Sequence, residues 1–209
     1  MKKFSIILGT IILALFVTLV IWGVYCDNTI AITNYCVNNT KNDAKLKFVV
    51  ITDLHNKEYG EKNADLAELV KEQNPDFIAV CGDMVNRGDP DTTKMKDVLE
   101  KLSKIAPTYC CLGNHERDNA AKFGTDFKSE TDSTGAVLLD NEYIKFTKNG
   151  KSVLIGGMSD YPYYEFYTPD DDVPSRTLWE EFAEKAKNNF TILLHHQPEY
   201  IAEDAKKPT

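Results

Sequence analysis

The residues able to do chemistry sit at the ends of a few short apolar runs. LKFVVIT (Leu46–Thr52) leads into Asp53-Leu54-His55, and FIAVC (Phe77–Cys81) leads into Gly82-Asp83-Met84-Val85-Asn86-Arg87-Gly88. TYCCL (Thr108–Leu112) leads into Gly113-Asn114-His115-Glu116, and NFTILL (Asn189–Leu194) leads into His195-His196-Gln197-Pro198. The chain has four histidines, and each lies at one of these ends. Residues two apart in an extended chain point the same way, so Asp53 and His55 are expected side by side at a strand mouth. Carboxylate, imidazole and amide donors together suit Mn²⁺, Fe or Zn²⁺ better than Ca²⁺, which prefers all-oxygen cages. Taken singly, each motif has a plainer reading: a capping Asp, a Gly-Asp turn, or a helix-capping Asn. Their weight lies in recurring at four separate ends. His195 and His196 would point opposite ways on a strand, so at most one faces such a site.

The runs alternate with helical patterns. Leu66, Leu69 and Val70 lie on one face of Ala64–Gln73, and Met95, Val98, Leu99 and Leu102 on one face of Thr92–Ile105. Strand and helix in alternation predict a parallel sheet covered by helices, and ligands of such sheets bind outside the carboxyl ends of the strands. The glycines before Asp83 and Asn114 suit the tight turns that swing a ligand inward. Farther on, AVLLDNEYIKF and KSVLIGGM read as strands around Lys148-Asn149-Gly150, a hairpin signal. A loop rich in aromatic and acidic residues follows at 161–174. Its aromatic part, 161–167, is expected either to line a substrate groove or to join the core, and Asp170-Asp171-Asp172 reads as a solvated loop. Thr177–Lys187 reads as a helix, and the last residues begin a helical pattern.

Phe4 to Tyr25 carries no charged residue, Lys2 and Lys3 precede it, and Trp22 and Tyr25 stand near its end. That pattern predicts a transmembrane signal anchor over 4–25, with the N-terminus cytoplasmic by the positive-inside rule. The rival is a cleaved signal peptide, against which the run is long and lacks a small-x-small cleavage site. Residues 26–45 are expected to form a stalk, with a lead-in strand near Thr29–Val37, and 46–209 to form an extracytoplasmic domain. The balance of 24 Lys+Arg against 32 Asp+Glu, a formal charge of −8, argues against nucleic acid as a partner. Five irregularly spaced cysteines do not make a disulfide framework; only a Cys26–Cys36 bridge is left open, and Cys81, Cys110 and Cys111 are expected to be buried.

The combination of Asp53/His55, Gly82-Asp83-x-x-x-Arg87, Gly113-Asn114-His115-Glu116 and Leu193-Leu194-His195-His196-Gln197-Pro198 resembles the calcineurin-like metallophosphoesterases, and its membrane-associated bacterial branch in particular. The resemblance implies an α/β chain of four-layer α/β/β/α architecture and a membrane-anchored phosphoesterase. Such an enzyme cleaves a phosphomonoester or phosphodiester by attack of a metal-bridging hydroxide. It implies two divalent metal ions. Asp53 and His55 would hold the first, Asp83 would bridge, and Asn114 and His196 would hold the second. His115 would face the scissile phosphate as proton donor or charge stabiliser, while Arg87 matches a position that contacts phosphate in some branches only. Two metals about 3.5–4 Å apart acidify a shared water and clamp an in-line displacement. Location makes a lipid-linked or cell-envelope phosphate the expected substrate. The chain lacks the family's final Gly-His-x-His, so the domain is expected to be incomplete at its C-terminal side. The alternative is a truncated, non-catalytic remnant that binds metal or a partner without turnover.

Overall fold

The structure is a computed structural model that describes residues 2–37, 45–158 and 174–197. The expected aromatic and acidic loop, the Asp170–Asp172 triple and the final helical pattern all lie outside the described residues. The chain divides into two compact units, Met1–Val37 and Asn38–Thr209.

The first unit is one helix, α1 (Lys2–Asp27), with no buried residue. At 26 residues it is long and apolar enough to cross a membrane or to act as a signal sequence. The lead-in strand expected at Thr29–Val37 is not there: beyond the helix end these residues form no regular structure. Alternation without a partner strand does not make a strand. Cys26 and Cys36 are exposed and free, so the bridge left open by the sequence is not formed.

The second unit holds two sheets. The first is fully parallel in the order β1 (Phe48–Ile51), β2 (Phe77–Cys81), β3 (Thr108–Cys111), β4 (Val137–Leu138). The second pairs β5 (Glu142–Lys148) antiparallel with β6 (Lys151–Gly157), and β6 parallel with β7 (Thr191–Leu194). The β5–β6 turn has left-handed backbone at both Asn149 and Gly150, the conformation that fits a two-residue hairpin. The stretch read as one strand over 136–146 is two strands in different sheets. Asp140 and Asn141 separate them, and Asn141 has a left-handed φ of 57° that no strand residue keeps.

Phe77, Ala79 and Cys111 from the first sheet pack on Val153, Ile155 and Leu194 from the second, with Leu139 between them. The alternate residues of β2, Ile78 and Val80, are also fully buried, toward the helical layer of α2 (Ala64–Glu72) and α3 (Thr93–Ser103). On the far face of the second sheet, Phe182 of α6 (Pro174–Ala186) packs over Gly156 and Tyr143. Helix, sheet, sheet and helix make the four expected layers. Two short helices, α4 (Asn114–Phe123) and α5 (Phe127–Asp132), follow β3; the sequence reading placed no helix there. Apolar residues at core spacing are sparse in α4, and its buried residues are Glu116 and Asn119.

Candidate metal centre

The strand ends of both sheets meet at one place. Past β1 the chain does not remain extended. Asp53, His55 and Asn56 all have left-handed φ, and their N–H groups donate to the carbonyls of Gly82, Asp83 and Met84 at 3.1, 3.0 and 2.9 Å. Asp53 and His55 do come together, with His55 Nε2 3.4 Å from Asp53 Oδ1. The reason differs from the one expected: a curled loop laid along the loop after β2 joins them, not strand alternation. Non-glycine residues rarely adopt this backbone, and its concentration at one site stores strain that the neighbouring hydrogen bonds offset.

Asp83 is the centre of the group. It is buried, and its two oxygens face different partners. Oδ1 accepts the His115 N–H at 2.9 Å, in the first turn of α4. Oδ2 lies 3.4, 3.6 and 3.9 Å from Nε2 of His196, His115 and His55. Burial opposes its ionisation, but hydrogen bonds from His196 and the His115 N–H, with the charge of both imidazoles, outweigh burial and hold the carboxyl below its usual range. Of the two oxygens, Oδ2 is the one turned to the three imidazoles.

Close packing of the two loops explains the glycines. A Cβ on Gly82, whose φ is +76°, would stand 2.5 Å from Gly113 N, and one on Gly113 would stand 2.3 Å from Asp83 Oδ1. Gly113 has an ordinary extended backbone, so it is glycine for room rather than for conformation.

His196 sits at the end of β7 with Nδ1 2.9 Å from the Cys81 carbonyl. A carbonyl only accepts, so Nδ1 carries a proton and Nε2 is the atom turned to Asp83. His195 points elsewhere and is buried, with Nδ1 accepting the Gln197 N–H at 3.0 Å. Asn114 Oδ1 faces only acceptors, namely Asp83 Oδ2 and His196 Nε2. With the amide turned over, Nδ2 would donate to Asp83 Oδ2 at 3.2 Å and, when His196 Nε2 carries no proton, to that nitrogen at 3.3 Å, and Oδ1 would accept from Arg87 Nη2 at 2.5 Å. The side chain thus has one orientation suited to a cation and another suited to a metal-free site.

His115 Nδ1 lies 3.1 Å from the Arg87 N–H and 3.2 Å from the Val85 carbonyl. One nitrogen cannot serve both. Accepting from Arg87 leaves the proton on Nε2, ready to be donated; donating to Val85 leaves Nε2 bare, ready to ligate. Arg87 itself is at the rim, with Nε 2.8 Å from Asp118 Oδ2.

All seven residues singled out from the sequence thus come to one cluster: Asp53, His55, Asp83, Arg87, Asn114, His115 and His196. Two sets form, Asp53/Asp83/His196 and His55/Asp83/His115, and within each set the donor atoms lie within 4.8 Å of one another. Carboxylate and imidazole atoms converging on one carboxylate oxygen, with an amide oxygen aimed among acceptors, are a donor set that fits divalent cations. The sequence reading missed two buried residues of α4 that hold the loops. Glu116 accepts backbone N–H groups from both loops, and Asn119 bonds Gly88 N, Asn86 O and Asp89 O at 2.7, 2.9 and 2.8 Å. The signal available for Glu116 was its place three residues after Gly113, the third-residue position of a capping box.

The family model described as calcineurin-like phosphoesterase matches residues 46–208. The chain belongs to the calcineurin-like phosphoesterase family. Metal-dependent phosphoester hydrolysis is the general chemistry of that family. The chain is 25% identical over 160 residues to the uncharacterized metallophosphoesterase YkoQ of Bacillus subtilis, covering 75% of this chain and 55% of that one. It is 30% identical over 119 residues to the phosphodiesterase YaeI of Escherichia coli, covering 55% and 44%. Among solved structures, the phosphopantetheinyl hydrolase PptH of Mycobacterium tuberculosis aligns with a TM-score of 0.42 at 18% identity, over 71% of this chain and 67% of that one. The chain spans about half the length of the curated relatives it matches.

Proposed function

We propose that the chain is a two-metal phosphodiesterase or phosphomonoesterase held at a membrane by α1, with the second unit on the extracytoplasmic side. Asp53 and His55 would hold one metal, Asn114 and His196 the other, and Asp83 would be shared by both. The observation that carries this reading is the meeting of three imidazole Nε2 atoms around Oδ2 of the buried Asp83. Bound in pairs, divalent cations supply Lewis acidity to the phosphoryl oxygens and a nucleophile at neutral pH.

The protein's own groups supply position and protons. Asp83 Oδ1 is fixed by the helix N–H, so Oδ2 cannot swing away. The Cys81 carbonyl fixes the His196 tautomer that leaves Nε2 available. The Arg87 N–H favours the His115 tautomer with its proton on Nε2, where it can be passed to a departing alkoxide. The Arg87 guanidinium, exposed beside Asn114, is placed to meet a non-bridging phosphate oxygen. The Escherichia coli relative is called a phosphodiesterase, which favours a diester; tethering favours one that is lipid-linked or in the cell envelope. The convergence of donors from four separate strand ends favours turnover over a remnant that only binds metal or a partner.

The test is metal content together with Mn²⁺-dependent hydrolysis of an aryl phosphodiester. Asp83→Asn and His196→Ala should each lose bound metal and lower the rate by more than the about 10- to 100-fold that follows loss of a ligand-orienting residue. Unchanged metal content and rate in both variants would end the proposal.

A further inference from the structure

Glu116 lies behind the centre, on the first turn of α4, and is 2% exposed. Four backbone N–H groups converge on its carboxylate. Oε1 accepts from Met84 and Val85 at 2.7 and 3.1 Å, and Oε2 accepts from Asp83 and Gly113 at 2.7 and 2.9 Å. A helix cap would need only the bond from Gly113. The other three come from consecutive amides of the loop after β2, which wrap the carboxylate as a nest wraps an anion.

That wrapping fixes the least comfortable residue of the loop. Asp83 has φ +52°, in the left-handed region, where a non-glycine residue stays only if its surroundings hold it. Released, Asp83 would relax toward extended backbone and carry Oδ2 away from the imidazoles. We propose that Glu116 is the positioning residue of the metal centre, an internal anion whose bonds to the 83–85 amides set the direction of the Asp83 carboxylate. The inference rests on the metal-site reading of Asp83. Glu116 is not a ligand: its oxygens point at N–H groups and away from the cluster.

Glu116→Gln is the sharp test. The shape is kept, but whichever oxygen becomes NH₂ then faces two N–H donors, so two of the four bonds turn repulsive. Glu116→Asp keeps the charge and withdraws both oxygens by one methylene. Full-length protein in detergent micelles is titrated with Mn²⁺ by calorimetry and electron paramagnetic resonance, with metal-free folding followed by circular dichroism. Folded Glu116→Gln should bind Mn²⁺ about 10- to 100-fold more weakly, the range for residues that orient metal ligands, with an altered Mn²⁺ spectrum. Glu116→Asp should fall between it and the unaltered chain. Unaltered Mn²⁺ affinity with a lowered melting temperature would make Glu116 merely structural and overturn the inference. So would loss of the fold in both variants. Failure of the unaltered chain to bind Mn²⁺ would instead overturn the metal reading, and this inference with it.

Discussion

Asp83 Oδ2 and His196 Nε2 stand 3.4 Å apart although they follow strands of different sheets. Asp83 ends β2 of the parallel sheet, and His196 ends β7 of the second sheet. Their meeting depends on the packing of Phe77, Ala79 and Cys111 against Val153, Ile155 and Leu194 behind them. The candidate centre is therefore a seam between sheets. Core packing and metal affinity should be coupled. Ile155→Ala, a fully buried change in the packing between the sheets, should cost about 2–5 kcal/mol of stability and also weaken Mn²⁺ binding. Urea unfolding in the presence and absence of Mn²⁺ measures both effects; a stability loss with unaltered Mn²⁺ affinity would show that the seam is stiffer than its packing implies.

Gly113→Ala puts a methyl 2.3 Å from Asp83 Oδ1 and 2.6 Å from Asp83 N. Neither neighbour can yield without moving the Asp83 carboxylate or the start of α4. Overpacking of this kind costs about 1–3 kcal/mol, and the displaced oxygen is the one that fixes Oδ2. Metal stoichiometry and the urea midpoint should both fall. Gly124→Ala is the comparison: nothing lies within 4 Å of its added methyl, so its left-handed φ should cost stability and leave Mn²⁺ binding alone.

The lowered carboxyl of Asp83 has a definite sign in metal-free protein. A group whose folded pKa lies below its unfolded value adds stability above the ordinary carboxylate range and loses it as pH falls through the folded value. The ordinary value here is 3.8. The stability gap between the unaltered chain and Asp83→Asn, measured without metal, should thus be full near neutrality and close below about pH 4. A gap that widens on acidification would contradict the hydrogen-bonding assignment.

Much of this was legible in the sequence because the information was local. Phe77–Cys81 and Thr108–Leu112 are apolar enough to be buried on both faces, and Asp or Asn after glycine marks where each turns. The α3 stripe of Met95, Val98, Leu99 and Leu102 is buried as its spacing requires. What stayed hidden lacked a hydrophobic period. Helix α4 buries Glu116 and Asn119 instead of apolar side chains, so its reason to form lies in the amides of another loop. Val137–Leu138 and Glu142–Lys148 looked like one strand because a break at Asp140-Asn141 costs the pattern only two polar residues. Asp53 and His55 converged through positive φ angles that no alternation rule anticipates.

Asn119 makes a prediction of its own about substrate. Its three bonds to residues 86, 88 and 89 hold the loop that carries Arg87. Asn119→Leu keeps the branched shape but removes all three bonds, and at a part-exposed loop this should loosen the backbone around Arg87 more than it lowers overall stability. Asp83 is held separately by Glu116, so the metals should remain. The expected signature is a KM for the aryl diester raised several-fold with a smaller change in kcat, and Arg87→Ala should not add much to it. Fully additive effects of Asn119→Leu and Arg87→Ala would separate the two residues.

The topology proposed for α1 is tested in intact cells. Lys2 and Lys3 flank one end of a helix whose 26 residues extend about 39 Å, enough to span the hydrocarbon core. If the positive flank stays in the cytoplasm, protease added outside should cut beyond residue 30, while a tag placed before Lys2 stays protected. Substituting Lys2 and Lys3 with Glu should reduce the fraction in that orientation. Protection of the second unit with exposure of the N-terminal tag would reverse the orientation, and release of the second unit into the medium would identify α1 as a cleaved signal sequence.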